Sequence, residues 1–186
     1  MGIHPDFCVV GEPSSNNQVG DVIKIGRRGS LTGKLVLQGK QGHVAYPHLA
    51  INPIHTLSPA LAELTVTHWD EGNQHFPPTS LQITHIKAGG QANNIIPGDV
   101  VMHFNFRFST EQTAATLKES VNACFKRHGL NPTIEWQLNG EPFLTSQGKL
   151  LESSLKAIKK LLIDSLNYRR VEVPQMAVLL RLMAWR

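Results

Sequence analysis

The chain has 186 residues, of which 41% are hydrophobic and 17% charged, with a formal net charge of +4. That composition excludes a disordered chain and allows one good-sized domain, or a smaller one with flanking segments. No apolar run approaches the roughly 18 residues of a membrane span, and no basic stripe interleaved with aromatics points to nucleic acid.

Met1 to Asp6 shows no charged region followed by an apolar stretch, so no secretory signal is expected and the location reads as cytoplasmic. Residues 6–10 (Asp-Phe-Cys-Val-Val) read as a short buried strand, ended by Gly11-Glu12-Pro13-Ser14-Ser15. Residues 20–28 alternate in part and predict a strand running to Gly29. Leu31, Gly33, Leu35 and Leu37 then share one face of a period-two strand. Gly39 to Pro47 is rich in turn formers and predicts a loop. From Asn52 the pattern becomes helical, with Ile54, Leu57, Leu61 and Leu64 at spacings of three and four and Pro53 in the first turn.

Residues 79–87 and 100–108 predict two further strands, separated by the loop Gly89–Asn94 and a turn at Pro97-Gly98-Asp99. Ser109 or Thr110 is placed to cap a helix over roughly 111–128, which Gly129 stops. Residues 133–138 predict a strand, and Gln147–Lys160 an amphipathic helix with Leu150, Leu151, Leu155 and Ile158 on its apolar side. Between residues 30 and 138 the order is therefore β-α-β-β-α-β. That predicts an α+β fold, a ferredoxin-like sandwich of a four-stranded antiparallel sheet with two helices on one face. The flanks then read as remnants of an α/β domain. Cys8 and Cys124 lie in apolar segments without CxxC spacing and read as buried free thiols.

Several residues could carry chemistry. Glu12 stands at the end of a core strand, a place for a ligand or catalytic carboxylate as well as for a plain turn glutamate. One carboxylate alone cannot make a zinc site. In Gly39–His48, glycines allow close backbone approach, and His43 and Tyr46 could donate hydrogen bonds to a developing oxyanion. His43 and His48, five residues apart, form no familiar metal pair. Asn93 and Asn94 offer amides in a glycine-flanked loop, where turn chemistry is the alternative. Arg107, between phenylalanines, either lies outward on a solvated sheet face or binds a carboxylate in a bidentate fork, and Arg27-Arg28 poses the same choice.

Four segments occur in order: Pro5–Ser15, Arg27-Arg28-Gly29-Ser30-Leu31, Gly42-His43-Val44-Ala45-Tyr46-Pro47 and Asn93-Asn94-Ile95-Ile96-Pro97. Over roughly residues 4–160 their order and wording resemble the M20 family of di-zinc amidohydrolases, and within it the branch that cleaves succinate from an N-succinylated diamino acid. The resemblance implies a zinc-dependent hydrolase of lysine and diaminopimelate synthesis. Two zinc ions, or zinc with cobalt at one site, would activate a hydroxide. The inserted ferredoxin-like domain would form a homodimer. The resemblance makes Glu12 a zinc ligand, His43 a residue that reaches the partner subunit's site and supports the oxyanion, and Arg27, Ser30, Tyr46, Asn93, Asn94 and Arg107 substrate contacts. The residues present match only one of the family's zinc ligands, so the expectation is an inactive, dimerising fragment without stoichiometric metal. A related M20 deacetylase or peptidase, and a non-enzymatic association module, are the alternatives.

The resemblance implies four segments: 1–28 from the catalytic domain, 29–142 the dimerisation domain, 143–160 the return to the catalytic domain, and 161–186 a tail. Two of the four net charges fall in that tail, where Arg169, Arg170, Arg181 and Arg186 oppose Asp164 and Glu172. Read one base out of register, Arg170-Val171-Glu172 and Pro174–Arg181 permit a Gly-Gly-Thr-Ser-Asp-Gly-Arg-Phe stretch like the family's. The tail therefore reads as out-of-frame sequence, with a helix-like Val178–Trp185.

Overall fold

A computed structural model of the chain describes residues 6–11, 15–17, 20–145, 147–166 and 178–181. It divides into two units, residues 28–142 and a second formed by 1–27 with 143–186.

The first unit is built on the long strand β3 (Gly29–Gln38), preceded in the chain by β1 (Cys8–Gly11) and β2 (Gly26–Arg27). A two-residue β4 (Gly42–His43) and a 3₁₀ turn at Pro47–Leu49 lead to helix α1 (Pro53–Val66). Strands β5 (Ser80–Ala88), β6 (Ile95–Ile96) and β7 (Asp99–Phe108) follow, then helix α2 (Ala114–Arg127) and strand β8 (Thr133–Gly140). The main sheet has the order β5-β7-β3-β8, every neighbour antiparallel. Each helix links two strands that have one strand between them, which is the split β-α-β arrangement of a ferredoxin-like sandwich.

Period-two patterning decides which sheet face is covered. Leu31, Leu35 and Leu37 of β3 and Val100, Met102, Phe104, Phe106 and Phe108 of β7 are buried together with Leu57, Ala60 and Leu64 of α1 and Leu117, Val121 and Phe125 of α2. Aromatic edges lock this layer, with Trp69 on Phe106 at 4.7 Å and Trp136 on Phe104 at 5.3 Å between ring centroids. The opposite face carries Ser30, Thr32 and Lys34 of β3 beside Arg107, Asn105 and His103 of β7.

Three local expectations need correction. In α1 the inward stripe is Pro53, Leu57, Ala60 and Leu64, whereas Ile54 is 44% exposed, so the buried face is turned by about one residue from the apolar series. Helix α2 starts at Thr113 rather than Ser109 or Thr110. The Thr113 and Thr116 side chains make a reciprocal capping box, and Ser109 instead takes part in a turn. The strand expected over residues 20–28 is reduced to Gly26–Arg27.

In the second unit, β2 pairs with β9 (Phe143–Leu144) and β1 with β10 (Val178–Arg181), both antiparallel. Helix α3 (Lys149–Leu166) runs past residue 160. Val178–Arg181, read as helix-like, is a strand, because an extended apolar run can close the free edge of β1. The rest of the tail lies outside the described residues, as does Glu12.

Candidate functional site

The site residues of the first unit fall into two groups. The first surrounds His43. Gly42 and His43 pair with Ile96 and Ile95, and the Val44 amide donates to the Asn94 carbonyl at 3.0 Å, so the loop carrying Asn93 and Asn94 lies against the His43 loop. The Ala45 amide donates to His43 Nδ1 at 3.1 Å. Nδ1 is therefore an acceptor, and in the neutral imidazole the proton sits on Nε2, a donor without a partner among the described residues. Tyr46 stands beside it, with ring centroids 6.0 Å apart, and the Tyr46 amide donates to the His43 carbonyl. Both side chains are exposed, and Tyr46 is followed by His48 at 6.4 Å. The result is a solvent-facing cluster of hydrogen-bond donors.

The second group lies on the open sheet face. Arg107 is opposite Ser30 on one side and Ser80 on the other. Among the described residues no carboxylate forms an ion pair with Arg107, so its charge is available to an acid from outside. Ser30 is buried, and Asn105 and Asn139 hold it there. Asn105 Nδ2 donates to Ser30 Oγ at 3.2 Å and Thr32 Oγ1 at 3.0 Å, and Asn139 Nδ2 donates to Thr32 Oγ1 at 2.7 Å. With their oxygens accepting from amides, the hydroxyls retain O–H groups to offer an anion. Neither asparagine stood out in the sequence; only the pairing of strands 75 and more residues apart brings them to Ser30.

The two groups are not adjacent. Arg107 and Ser30 mark one end of the β3–β7 pair, while Gln38 and Asp99, beside the His43 and Asn94 loops, mark the other. Eight residues at about 3.3 Å each separate Ser30 from Gln38, a distance on the order of 26 Å. A substrate of amino-acid size cannot touch both groups of one chain. Arg27, exposed at the end of β2, belongs to the second unit.

A metal pair finds no support among these groups. Among the described residues the single cluster of three potential ligands is Glu63, Cys124 and His128 on the helical face. Hydrogen bonds from Arg127 and then from His128 hold the Glu63 carboxyl down to about 2 from its ordinary 4.5. Burial, followed by the charge of Glu63, pushes the Cys124 thiol up to about 11, so it is protonated near neutrality. Cys8 is half-buried, against the expectation of full burial.

The sequence model of the peptidase dimerisation domain (M20_dimer) matches residues 25–133, more than half of the chain. The chain belongs to the M20 peptidase dimerisation-domain family. Curated relatives of this M20 chain include the succinyl-diaminopimelate desuccinylase of Legionella pneumophila (strain Lens), 65% identical over 158 residues that make up 85% of this chain and 42% of the relative. The enzyme of the same name from Alkalilimnicola ehrlichii is 58% identical over 154 residues, 83% of this chain and 41% of that one. The M20 chain thus spans about two fifths of the length of these relatives. Among solved structures, aminopeptidase PepT from Bacillus cereus superposes with a TM-score of 0.60 at 20% identity, covering 79% of this chain and 39% of that one. An M20 family metallo-carboxypeptidase from Sulfolobus solfataricus gives 0.61 at 16%, over 73% and 50%. These two likenesses establish the fold.

Proposed function

We propose that this chain is the dimerisation domain, with flanking segments, of a cytoplasmic succinyl-diaminopimelate desuccinylase, which hydrolyses N-succinyl-LL-2,6-diaminopimelate to succinate and LL-2,6-diaminopimelate. The observation that carries the reading is the separation of the two polar groups at opposite ends of one sheet. Two copies reconcile it. The Arg107–Ser30 end of one protomer serves one active site, where Arg107 and the Ser30 hydroxyl bind a substrate carboxylate; Arg27 is a separate candidate substrate contact. The His43 end of its partner completes the same site, where Nε2–H stabilises the oxyanion and Tyr46, Asn93 and Asn94 contact the substrate.

Two zinc ions, with cobalt able to replace one, would supply the activated hydroxide in the whole enzyme. Glu12 is the one residue here assigned to hold them. The chain spans about two fifths of the length of its curated relatives, so a polypeptide of these 186 residues alone is expected to be inactive. Names of relatives support the succinylated substrate; the geometry alone is equally suited to another M20 amide hydrolase.

The test uses a chimera in which these residues replace the matching stretch of the Legionella pneumophila relative. His43→Ala should lower kcat by about 10²–10³, and Arg107→Ala should chiefly raise KM. Mixed dimers of the two impaired variants, assayed with substrate far below KM, should recover about a quarter of the unsubstituted chimera's rate, because half the dimers then hold one intact site. No recovery would mean that both groups serve the same protomer's site.

A further inference from the structure

On the helical face, remote from both groups above, Glu63 of α1 meets Cys124 of α2 and His128 at the α2 C-cap. Cys124 and His128 are four residues apart, the spacing that places two side chains on one helical face. One ligand atom from each residue lies within 4.8 Å of the other two. His128 Nε2 is 2.7 Å from Glu63 Oε2, and the Cys124 thiol donates to the Ala60 carbonyl at 3.7 Å. The sulfur is buried, but a cavity of about 270 Å³ lined by Glu63, Thr67, Trp69, Ser120, Cys124 and Arg127 opens beside it and gives a small ion a way in. One sulfur, one imidazole nitrogen and one carboxylate make a donor set for zinc-class cations, with water as the fourth ligand; magnesium and calcium prefer oxygen alone.

Without metal, a cation already occupies this place, since the Arg127 guanidinium donates to Glu63. Its side chain is 59% exposed and can leave without disturbing the core. We propose that Glu63, Cys124 and His128 form a binding site for a soft divalent cation of the zinc class, which bridges α1 and α2 and displaces Arg127. On binding, the thiol proton passes to solvent and a metal–sulfur bond replaces the S–H bond. The His128 proton moves to Nδ1, freeing Nε2 to ligate, and the Glu63 carboxylate exchanges Arg127 for the metal. No electron transfer is required, and the site does not depend on the desuccinylase reading.

The test is titration of the purified chain with Cd²⁺, followed by thiolate-to-cadmium charge-transfer absorption, with Zn²⁺ as competitor and circular dichroism to confirm that each variant is folded. One equivalent should bind, and Zn²⁺ should displace it. Cys124→Ser should abolish the band, His128→Gln should weaken binding by roughly tenfold or more, Cys8→Ser should leave it unchanged, and Arg127→Gln should tighten it. A folded chain that takes up no metal would overturn the proposal. So would a band that disappears with Cys8→Ser or ignores His128→Gln. Unchanged affinity in Arg127→Gln would overturn the displacement of Arg127.

Discussion

Asp70 shows how single side chains organise the connection between α1 and β5. One carboxylate oxygen accepts from the Gly72 and Thr79 amides at 2.8 and 2.9 Å, and the other accepts from the Ser109 hydroxyl at 3.3 Å. Burial alone would raise its pKa, but the bonds from Thr79, Gly72 and Ser109 outweigh burial and lower it. A carboxyl whose folded pKa lies below its unfolded value adds stability that is complete above the unfolded value, near 3.8. That stability fades as pH falls through the folded pKa. Asp70→Ala should cost about 1–3 kcal/mol at neutral pH, because the amide of buried Thr79 loses its acceptor. Denaturant titrations should show the gap between wild type and variant narrowing as pH drops below 4. The sequence made His43, Tyr46 and the asparagine pair visible, because glycine and proline punctuate their loops. Asp70, Asn105 and the Glu63–Cys124–His128 cluster were hidden, since the contacts that complete them (Thr79 and Ser109 for Asp70, Ser30 for Asn105, Glu63 for His128) span 9 to 75 residues of sequence.

At the scale of elements, alternation located β3, β5, β7 and β8 well, because a strand with one covered face must alternate. It could not say why Gly33 sits in the buried series. A Cβ there would lie 2.3 Å from the Phe104 ring, so the missing side chain makes room for the aromatic that Trp136 locks in place. Gly33→Ala should cost about 1–3 kcal/mol by overpacking, measurable as a lowered thermal midpoint. The capping position of α2 was misplaced because Ser109, Thr110 and Thr113 all have side chains able to cap, and only the Thr113–Thr116 pair closes the box. The edge strands differ in what they expose. Ile86 on β5 lies opposite Met102, on the helix side of the sheet, yet is 50% exposed; Ile54 of α1, which lines one cavity with Lys87 and Ala88 of β5, is 44% exposed. On β8 the exposed apolar residue is Leu138, at 43%. Pairing of β5 with its twin would cover this apolar margin and continue the sheet. Ile86→Glu should therefore produce monomers in sedimentation velocity, while Leu138→Glu should not.

At the scale of the molecule, the β-α-β-β-α-β order was legible from the alternation of periods, and the domain's family from four short segments. The 26 Å-scale gap between the Arg107 and His43 groups was not, because residues 27–30 and 42–46 are close in sequence and only the length of β3 separates them. The length of that strand is the ground for the proposed two-chain site. The out-of-frame reading of residues 161–186 is a separate proposal, and the coding DNA tests it: an in-frame match to a functional desuccinylase gene across that stretch would refute it. The most direct test of the two-copy site is the mass of the purified chain in solution by light scattering. A dimer, twice the 20.6 kDa of one chain, is the predicted result. A monomer at every concentration up to the highest soluble one would contradict it.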